Sequence, residues 1–252
     1  MGLCRKAKTI GITGPPGAGK STLFKAILGL VPISSGEIHI HGSPFSEVRG
    51  ELAYIPQHEE VNWSFPLTAW DVVMLGREKK IGWFRRPSKI DKEVVAGCLE
   101  RVGLYSRKDS LINELSGGQR QRIFIARALA QEAHTLLLDE AFSGVDVASQ
   151  DGLMEMLKSL KDDGKTILIS THDLNNMSDR FDLVCCLNRH ICAFGTPLDA
   201  FINEKPELDQ DGWLNLQQSG LDMSNNNYDI TSAYNTTGDN PFLTWDNTHP
   251  FQ

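Results

Sequence analysis

The 252-residue sequence has no hydrophobic run long enough to cross a membrane. A membrane helix needs about 18 to 20 consecutive apolar residues, and no stretch reaches that length. The first residues, MGLCRKAKTI, lack the apolar core that marks a secretory signal. We therefore expect that any work at a membrane requires docking onto a separate membrane subunit.

The cysteine spacing of metal-binding and redox motifs is also missing. The five cysteines show no Cys-x-x-Cys spacing, and three of them lie in apolar runs. This usage is typical of free, buried thiols in a reducing compartment rather than of a disulfide framework or a zinc site. We therefore expect a cytosolic chain.

A basic surface is the third missing feature. The formal net charge is −7, and residues 204–252 contain eight acids against one base, which leaves residues 1–203 neutral overall. Nothing predicts nucleic-acid binding through a positive surface. Because residues 204–252 are polar, acidic and aperiodic, we predict a mainly disordered tail there.

Apolar strand-like runs alternate with segments of helical spacing along residues 1–203. The predicted strands are residues 9–13, 37–41, 52–55, 135–138, 166–170 and 183–187. The predicted helices are residues 21–28, 68–75, 89–102 (with Ser88 as N-cap), 119–130 and 152–160. This alternation predicts an α/β fold with a mostly parallel sheet and helices on its faces.

A glycine-rich loop follows the first predicted strand and precedes the first helix. Its residues are Gly14, Pro15, Pro16, Gly17, Ala18, Gly19, Lys20, Ser21 and Thr22, and they match the pattern GxxxxGK[ST]. Backbone N–H groups and a helix N-terminus can close around phosphate oxygens here. Lys20 is predicted to reach the β- and γ-phosphates and Ser21 to ligate Mg²⁺.

Two acids end the apolar run LLL at residues 136–138. Asp139 is predicted to hold Mg²⁺, and Glu140 to act as general base toward the attacking water. A solvated strand end would look the same in isolation, so the prediction depends on the phosphate loop nearby.

A second anion site is predicted at the start of the helix at 119–130. It comprises Ser116, Gly117, Gly118 and Gln119, preceded by Leu115. The plain alternative is a serine N-cap followed by a flexible turn. Two phosphate sites for one nucleotide make sense when the second serves another copy of the chain.

The order phosphate loop, Gln57, LSGGQ, LLLDE and His172 resembles the ABC ATPase family over about residues 9–200. The resemblance implies a P-loop NTPase fold at 1–203 with a small antiparallel β subdomain and a helical subdomain at about 58–130. It implies that Gln57 senses Mg²⁺ and the transmembrane partner, and that His172 contacts the γ-phosphate. Residues 143–146 (SGVD) resemble the D-loop. ATP and Mg²⁺ are the implied cofactors, and the implied assembly is a homodimer that sandwiches ATP head to tail.

Residues 58–87 are rich in aromatics, namely Trp63, Phe65, Trp70, Trp83 and Phe84. The phrases VNWSFPLTAWDVVMLGR and LLLDEAFSGVD resemble manganese, zinc and iron importer ATPases. This implies a permease partner, an external metal-binding receptor and a location at the cytoplasmic face of the membrane. The alternatives are a soluble ABC ATPase of a non-transport assembly, such as an iron–sulfur scaffold, and an exporter subunit.

The segment before the phosphate loop departs from the family pattern. The thirteen residues before Gly14 lack the edge strand and the adenine-stacking aromatic usual in the family, so we expect that the natural start lies upstream.

His39 and His41 would share one face if residues 37–41 form a strand. We interpret them as an exposed strand face rather than as metal ligands.

Overall fold

The computed structural model describes residues 7–57, 65–82, 85–143, 145–172, 177–202, 207–208 and 214–215. The strands are β1 (Thr9–Thr13), β2 (His39–Ile40), β3 (Ser43–Pro44), β4 (Leu52–Ile55), β5 (Thr135–Leu138), β6 (Thr166–Thr171), β7 (Leu183–Leu187), β8 (Ile191–Gly195), β9 (Glu207–Leu208) and β10 (Leu214–Asn215). The helices are α1 (Lys20–Ile27), α2 (Phe45–Val48), α3 (Ala69–Met74), α4 (Glu78–Ile81), α5 (Lys89–Arg101), α6 (Gly117–Ala130), α7 (Val147–Asp162), α8 (Met177–Arg180) and α9 (Pro197–Ile202).

Six strands form the central sheet in the order β4-β5-β6-β1-β7-β8. From β4 to β7, each strand pairs with its neighbour in parallel. The edge strand β8 pairs with β7 in the antiparallel direction. Every residue of β1, β5 and β6 is buried, because both faces of the sheet are covered. The predicted α/β fold with a mostly parallel sheet is therefore confirmed.

The two faces of the sheet support separate cores. On one face, α1 contributes Phe24 and Ile27 to a cluster with Ile12, Leu137 and Leu168. The other face carries a larger cluster that extends through α3, α5, α6 and α7. Alternate residues of one strand thus belong to different cores, as the period of a strand requires.

The helical layer is formed mainly by α3, α5 and α6, which pack against one another. Two of its helices begin with a capping box: Thr68 and Asp71 exchange bonds at α3, and Ser88 and Asp91 do so at α5. Each cap satisfies helix N–H groups that have no partner within the helix. The prediction of Ser88 as an N-cap is confirmed. The helix predicted at 68–75 continues through a 3₁₀ turn at Leu75–Arg77 into α4.

The strand predicted at residues 37–41 is wrong at both ends. Only His39 and Ile40 pair with the neighbouring strand, and His41 and Gly42 form the two-residue turn between β2 and β3. Both turn residues have positive φ, 53° and 80°, which is the geometry favoured in tight hairpins. The two histidines therefore do not share a strand face. The His41 ring bonds Thr135 Oγ1, and His39 lies 3.2 Å from Glu37.

Sequence periodicity also missed several short elements: β8, α8 and α9. They are too short for a clear pattern, and β8 is only partly buried at the sheet edge. Helix α7 is longer than the predicted 152–160, since Asp146 caps it from outside. Beyond residue 203 the described residues are the antiparallel pair β9 and β10. The remainder of the predicted tail lies outside the described residues.

The cysteines of the described ranges are free thiols. Cys185 and Cys186 are buried in β7, while Cys98 and Cys192 are half-buried. Burial raises the pKa of Cys185 to about 12 and that of Cys98 to about 11, which disfavours the reactive thiolate. The prediction of buried free thiols is confirmed for the β7 pair. Cys4 lies outside the described residues.

Part of the aromatic segment at 58–87 is described. Phe65 is 61% exposed, whereas Trp70 packs against the larger core. Trp63, Trp83 and Phe84 lie outside the described residues. Among the helices that the structure describes, none has the length and apolar character needed to span a membrane.

A close contact in the helical layer generates a stability prediction. A Cβ at Gly76 would lie 2.2 Å from the Arg127 carbonyl oxygen, so we expect Gly76→Ala to separate the 3₁₀ turn from α6. The expected cost is about 1–3 kcal/mol. Gly97→Ala is the matched control, because a Cβ there meets nothing within 4 Å on the exposed face of α5. It should stabilise by about 0.5–1 kcal/mol. Urea unfolding of both variants measures the difference, and equal midpoints would contradict the packing.

Candidate nucleotide site

The carboxyl ends of four parallel strands meet at one edge of the sheet. Gly14 follows β1, Asp139 follows β5 and His172 follows β6, while Gln57 stands two residues after β4. Because these strands run in the same direction, the residues that follow them emerge on the same side. Ligands of open α/β sheets bind at this edge.

The phosphate loop is a tight turn between β1 and α1. Gly17 and Gly19 have φ of 78° and 100°, values that favour glycine, and the Ala18 N–H bonds the Pro15 carbonyl. The Arg189 N–H donates to the Ala18 carbonyl, which joins the loop to the β7–β8 turn. A Cβ at Gly14 would lie 2.0 Å from the Leu187 carbonyl oxygen. The loop backbone therefore has fixed support behind it.

Lys20 begins α1 and its side chain is buried. Its Nζ donates to the Gly14 carbonyl at 2.8 Å and to the Pro15 carbonyl at 3.2 Å. Burial lowers the pKa of Lys20, and the carboxylates of Glu140 and Asp139 act in the opposite direction. The two acids therefore lie near enough to this ammonium to stabilise its charge, as the sequence predicts for residues that share one phosphate site.

Asp139 is 1% exposed, and hydroxyl groups contact both of its carboxylate oxygens. Tyr54 from β4 donates to Oδ2 at 3.2 Å, and Ser170 from β6 donates to Oδ1. Sequence reasoning missed both hydroxyls. Tyr54 and Ser170 come shortly before Gln57 and His172 in the sequence. This proximity indicates a role at the site only once the order of β4, β5 and β6 in the sheet is known.

Glu140 has the backbone of a sharp turn. Its φ is 46°, its N–H donates to Ser170 Oγ at 2.8 Å and its carbonyl accepts from Ser143 N–H at 2.9 Å. Gln57 Nε2 donates to Glu140 Oε2 at 2.8 Å. The structure therefore brings together the predicted lysine, glutamine, aspartate and glutamate.

The remaining predicted residues lie around this group. His172 is exposed immediately after β6. Of the D-loop residues, Asp146 caps α7 by accepting from Ser149 N–H at 2.9 Å, and Gly144 lies outside the described residues.

The predicted second anion site opens α6 in the helical layer. Ser116 is the N-cap, with its side chain accepting from Gln119 N–H in a capping box. This is the geometry of the plain N-cap alternative, and it also points the first N–H groups of α6 outward. Gly118 is buried, and a Cβ there would lie 2.9 Å from Ser149 Cβ. The segment therefore packs on α7 with the D-loop residues.

The donor groups fit a nucleotide with a magnesium ion. The glycine loop and the N-terminus of α1 suit phosphate oxygens. The Ser21 hydroxyl, the Gln57 amide oxygen and the Asp139 carboxylate are the hard oxygen ligands that Mg²⁺ prefers. Gln57 uses its nitrogen toward Glu140, so its oxygen is directed elsewhere. Each oxygen of Asp139 accepts one described hydroxyl bond and retains a second lone pair.

Comparison with known proteins identifies the class. The family model described as "ABC transporter" matches residues 3–143. The chain belongs to this family, and it is an ATP-binding ATPase of the family.

Three curated relatives, all transport-system proteins, indicate the branch. The zinc transport system ATP-binding protein TroB of Treponema pallidum is 47% identical over 193 residues, which cover 77% of this chain and 73% of that protein. The manganese transport system ATP-binding protein MntB of Bacillus subtilis is 44% identical over 83% of this chain and 84% of its own length. The chelated iron transport system membrane protein YfeB of Yersinia pestis is 40% identical over 94% and 81%.

Solved structures have the same architecture. The cbiO1 protein of Clostridium perfringens, part of the ABC transporter complex cbiONQ, aligns with a TM-score of 0.68 and 28% identity over 79% of this chain and 80% of that chain. A dimeric ATP-binding cassette in a post-hydrolysis state, bound to ADP and Pi, aligns with a TM-score of 0.65 and 27% identity over 76% and 86%.

The contact behind the phosphate loop yields a second prediction. Gly14→Ala should displace the loop, because the new Cβ cannot approach the Leu187 carbonyl oxygen to 2.0 Å. We expect nucleotide affinity to fall about tenfold or more, since a loss of 1.4 kcal/mol suffices for that change. Gly50→Ala is the control, because a Cβ there meets nothing within 4 Å. Binding of a fluorescent ATP analogue checks both variants, and unchanged affinity in Gly14→Ala would contradict the rigid loop.

Proposed function

We propose that the chain is the ATP-hydrolysing motor subunit of an ABC importer for a transition metal. The observation that carries the ATPase assignment is the hydrogen bond from Gln57 to Glu140 beside Lys20 and Asp139. It supports the proposal because the Glu140 carboxylate, the proposed general base, lies near the Lys20 ammonium, the proposed phosphate ligand. The importer assignment is supported by the relatives that serve zinc, manganese and iron transport.

In this proposal residues 14–22 bind the phosphates of ATP, and Lys20 neutralises the charge of the β- and γ-phosphates. Glu140 accepts the proton of the attacking water, and Gln57 holds its carboxylate in place. His172 contacts the γ-phosphate from the end of β6. Ser21, Gln57 and Asp139 would hold Mg²⁺, which supplies charge neutralisation to the phosphate oxygens.

A second copy of the chain completes the site. We propose a head-to-tail dimer in which the partner's Ser116 and the partner's Gly118 approach the γ-phosphate bound by Lys20. Two observations support it: this segment caps a helix in a separate layer, and a similar cassette was solved as a dimer. ATP then favours the closed dimer because it binds that state better, and hydrolysis removes the phosphate that both copies hold.

The membrane partner is a permease, and the cargo reaches it from a separate receptor outside the cell. The exposed Phe65 near the start of α3 supports a contact between the helical layer and such a partner. In this proposal the ATPase works at the cytoplasmic face of the membrane by docking onto the permease. Cargo selectivity among zinc, manganese and iron belongs to the permease and receptor, since the motor needs no contact with the metal.

The general-base role predicts the behaviour of Glu140→Gln. The amide preserves the side-chain shape and can still bond Gln57, yet it cannot accept the water proton. Turnover should fall roughly 100- to 10,000-fold while ATP binding persists. Size-exclusion chromatography with ATP should then detect a trapped dimer. Wild-type hydrolysis by this variant, or its failure to dimerise with ATP, would contradict the assignment.

The importer role predicts a growth phenotype. A strain that lacks this protein should grow poorly when manganese, zinc or iron is limiting, and the wild-type gene should restore growth. Lys20→Ala should not restore it, because it removes the buried ammonium that is proposed to bind the phosphates. Co-purification with an integral membrane protein is the matching biochemical test. A soluble scaffold role predicts neither result, and an exporter predicts sensitivity to excess metal instead.

A further inference from the structure

Two strands, β4 and β6, place hydroxyl groups on one buried carboxylate that follows the strand between them, β5. Tyr54 pairs with Leu137 and Ile169 pairs with Leu138, so Ser170 lies beside Asp139 one step further along β6. Because side chains alternate along a strand, Tyr54, Asp139 and Ser170 project from the same face of the sheet. This is the face that α1 covers.

The single hydroxyl of Ser170 makes two bonds. It donates to Asp139 Oδ1 and accepts from Glu140 N–H at 2.8 Å. The residue is 0% exposed. Bulk water therefore has no access to replace the hydroxyl, and both bonds depend on this side chain.

The second bond acts on a residue with an unfavourable backbone. Glu140 has φ of 46°, a region that residues with a Cβ seldom adopt unless their surroundings hold them there. Three contacts hold it: its N–H on Ser170, its carbonyl on Ser143 N–H and its carboxylate on Gln57. Among these, the bond to Ser170 is the one that also fixes the neighbouring acid.

We propose that Ser170 is a positioning residue for ATP hydrolysis, which sets the Asp139 carboxylate and the left-handed turn at Glu140 with one hydroxyl. This inference rests on the proposed function of the site. Ser170 acts through the two acids and leaves the phosphate loop untouched. Its removal should therefore lower the rate of hydrolysis and weaken the response to Mg²⁺ with little effect on metal-free nucleotide binding.

The test compares Ser170→Ala with a rescue variant and a surface control. Ser170→Ala should lower kcat about 10- to 100-fold, the effect of losing a hydrogen bond to a charged group. The KM for ATP should change by less than about threefold, which corresponds to only a small change in binding free energy. Ser170→Thr retains the hydroxyl on a β-branched residue that suits a strand, and it should restore most of kcat. Ser159→Ala, at an exposed serine of α7, should behave as wild type.

A second readout does not depend on turnover. Binding of a fluorescent ATP analogue is titrated with Mg²⁺ in the Glu140→Gln background, where hydrolysis is suppressed. Ser170→Ala should raise the half-saturating Mg²⁺ concentration, and so should Tyr54→Phe, which removes the bond to Asp139 Oδ2. With Glu140 intact, Tyr54→Phe should lower kcat less than Ser170→Ala, because Glu140 N–H keeps its acceptor.

The outcomes separate this inference from the function on which it rests. If the wild type hydrolyses ATP and Ser170→Ala matches it in kcat and Mg²⁺ dependence, the positioning role is overturned. If Ser170→Ala has both a lower melting temperature and a lower activity, and Ser170→Thr restores neither, the serine acts only in core packing and the positioning role is overturned. If the wild type itself does not hydrolyse ATP in complex with its permease, the result contradicts the proposed function and not only the positioning role of Ser170.

Discussion

The parallel register of β4, β5, β6 and β1 is the constraint on which the site depends. Side chains that follow these strands come from positions spread over residues 14–172, and only a common strand direction brings them to one edge. The fully buried runs of β1, β5 and β6 hold this register, because a slip of one residue would exchange the two apolar faces.

Charge at that edge is balanced among partly buried groups. Burial disfavours the ammonium of Lys20, and the carboxylates of Glu140 and Asp139 compensate. Hydroxyl groups in turn satisfy Asp139. The polar groups therefore form a connected set from the phosphate loop to β4 and β6. Such sets are rigid because leaving any buried member unpaired is costly.

Glycines set the spacing between this set and the rest of the molecule. Gly14 permits the loop to approach the Leu187 carbonyl, Gly76 permits the 3₁₀ turn to approach α6, and Gly118 permits α6 to approach α7. The Gly76 contact joins the turn after α3 to α6, and α6 begins at the segment proposed to face a second copy.

Local patterns were enough to predict β1, β4, β5, β7, the capping of α5 and the identity of the phosphate loop, since each depends on neighbours within a few residues. The roles proposed for Gln57, Asp139 and Glu140 were also visible as motifs. The turn at His41 and the edge strand β8 could not be predicted in this way. A two-residue hairpin turn and a partly buried strand show no hydrophobic periodicity. The contact of the Tyr54 and Ser170 hydroxyls with Asp139 was decided by tertiary structure alone. It exists because parallel pairing places those strands on either side of β5, and no spacing along the chain encodes which strands become neighbours.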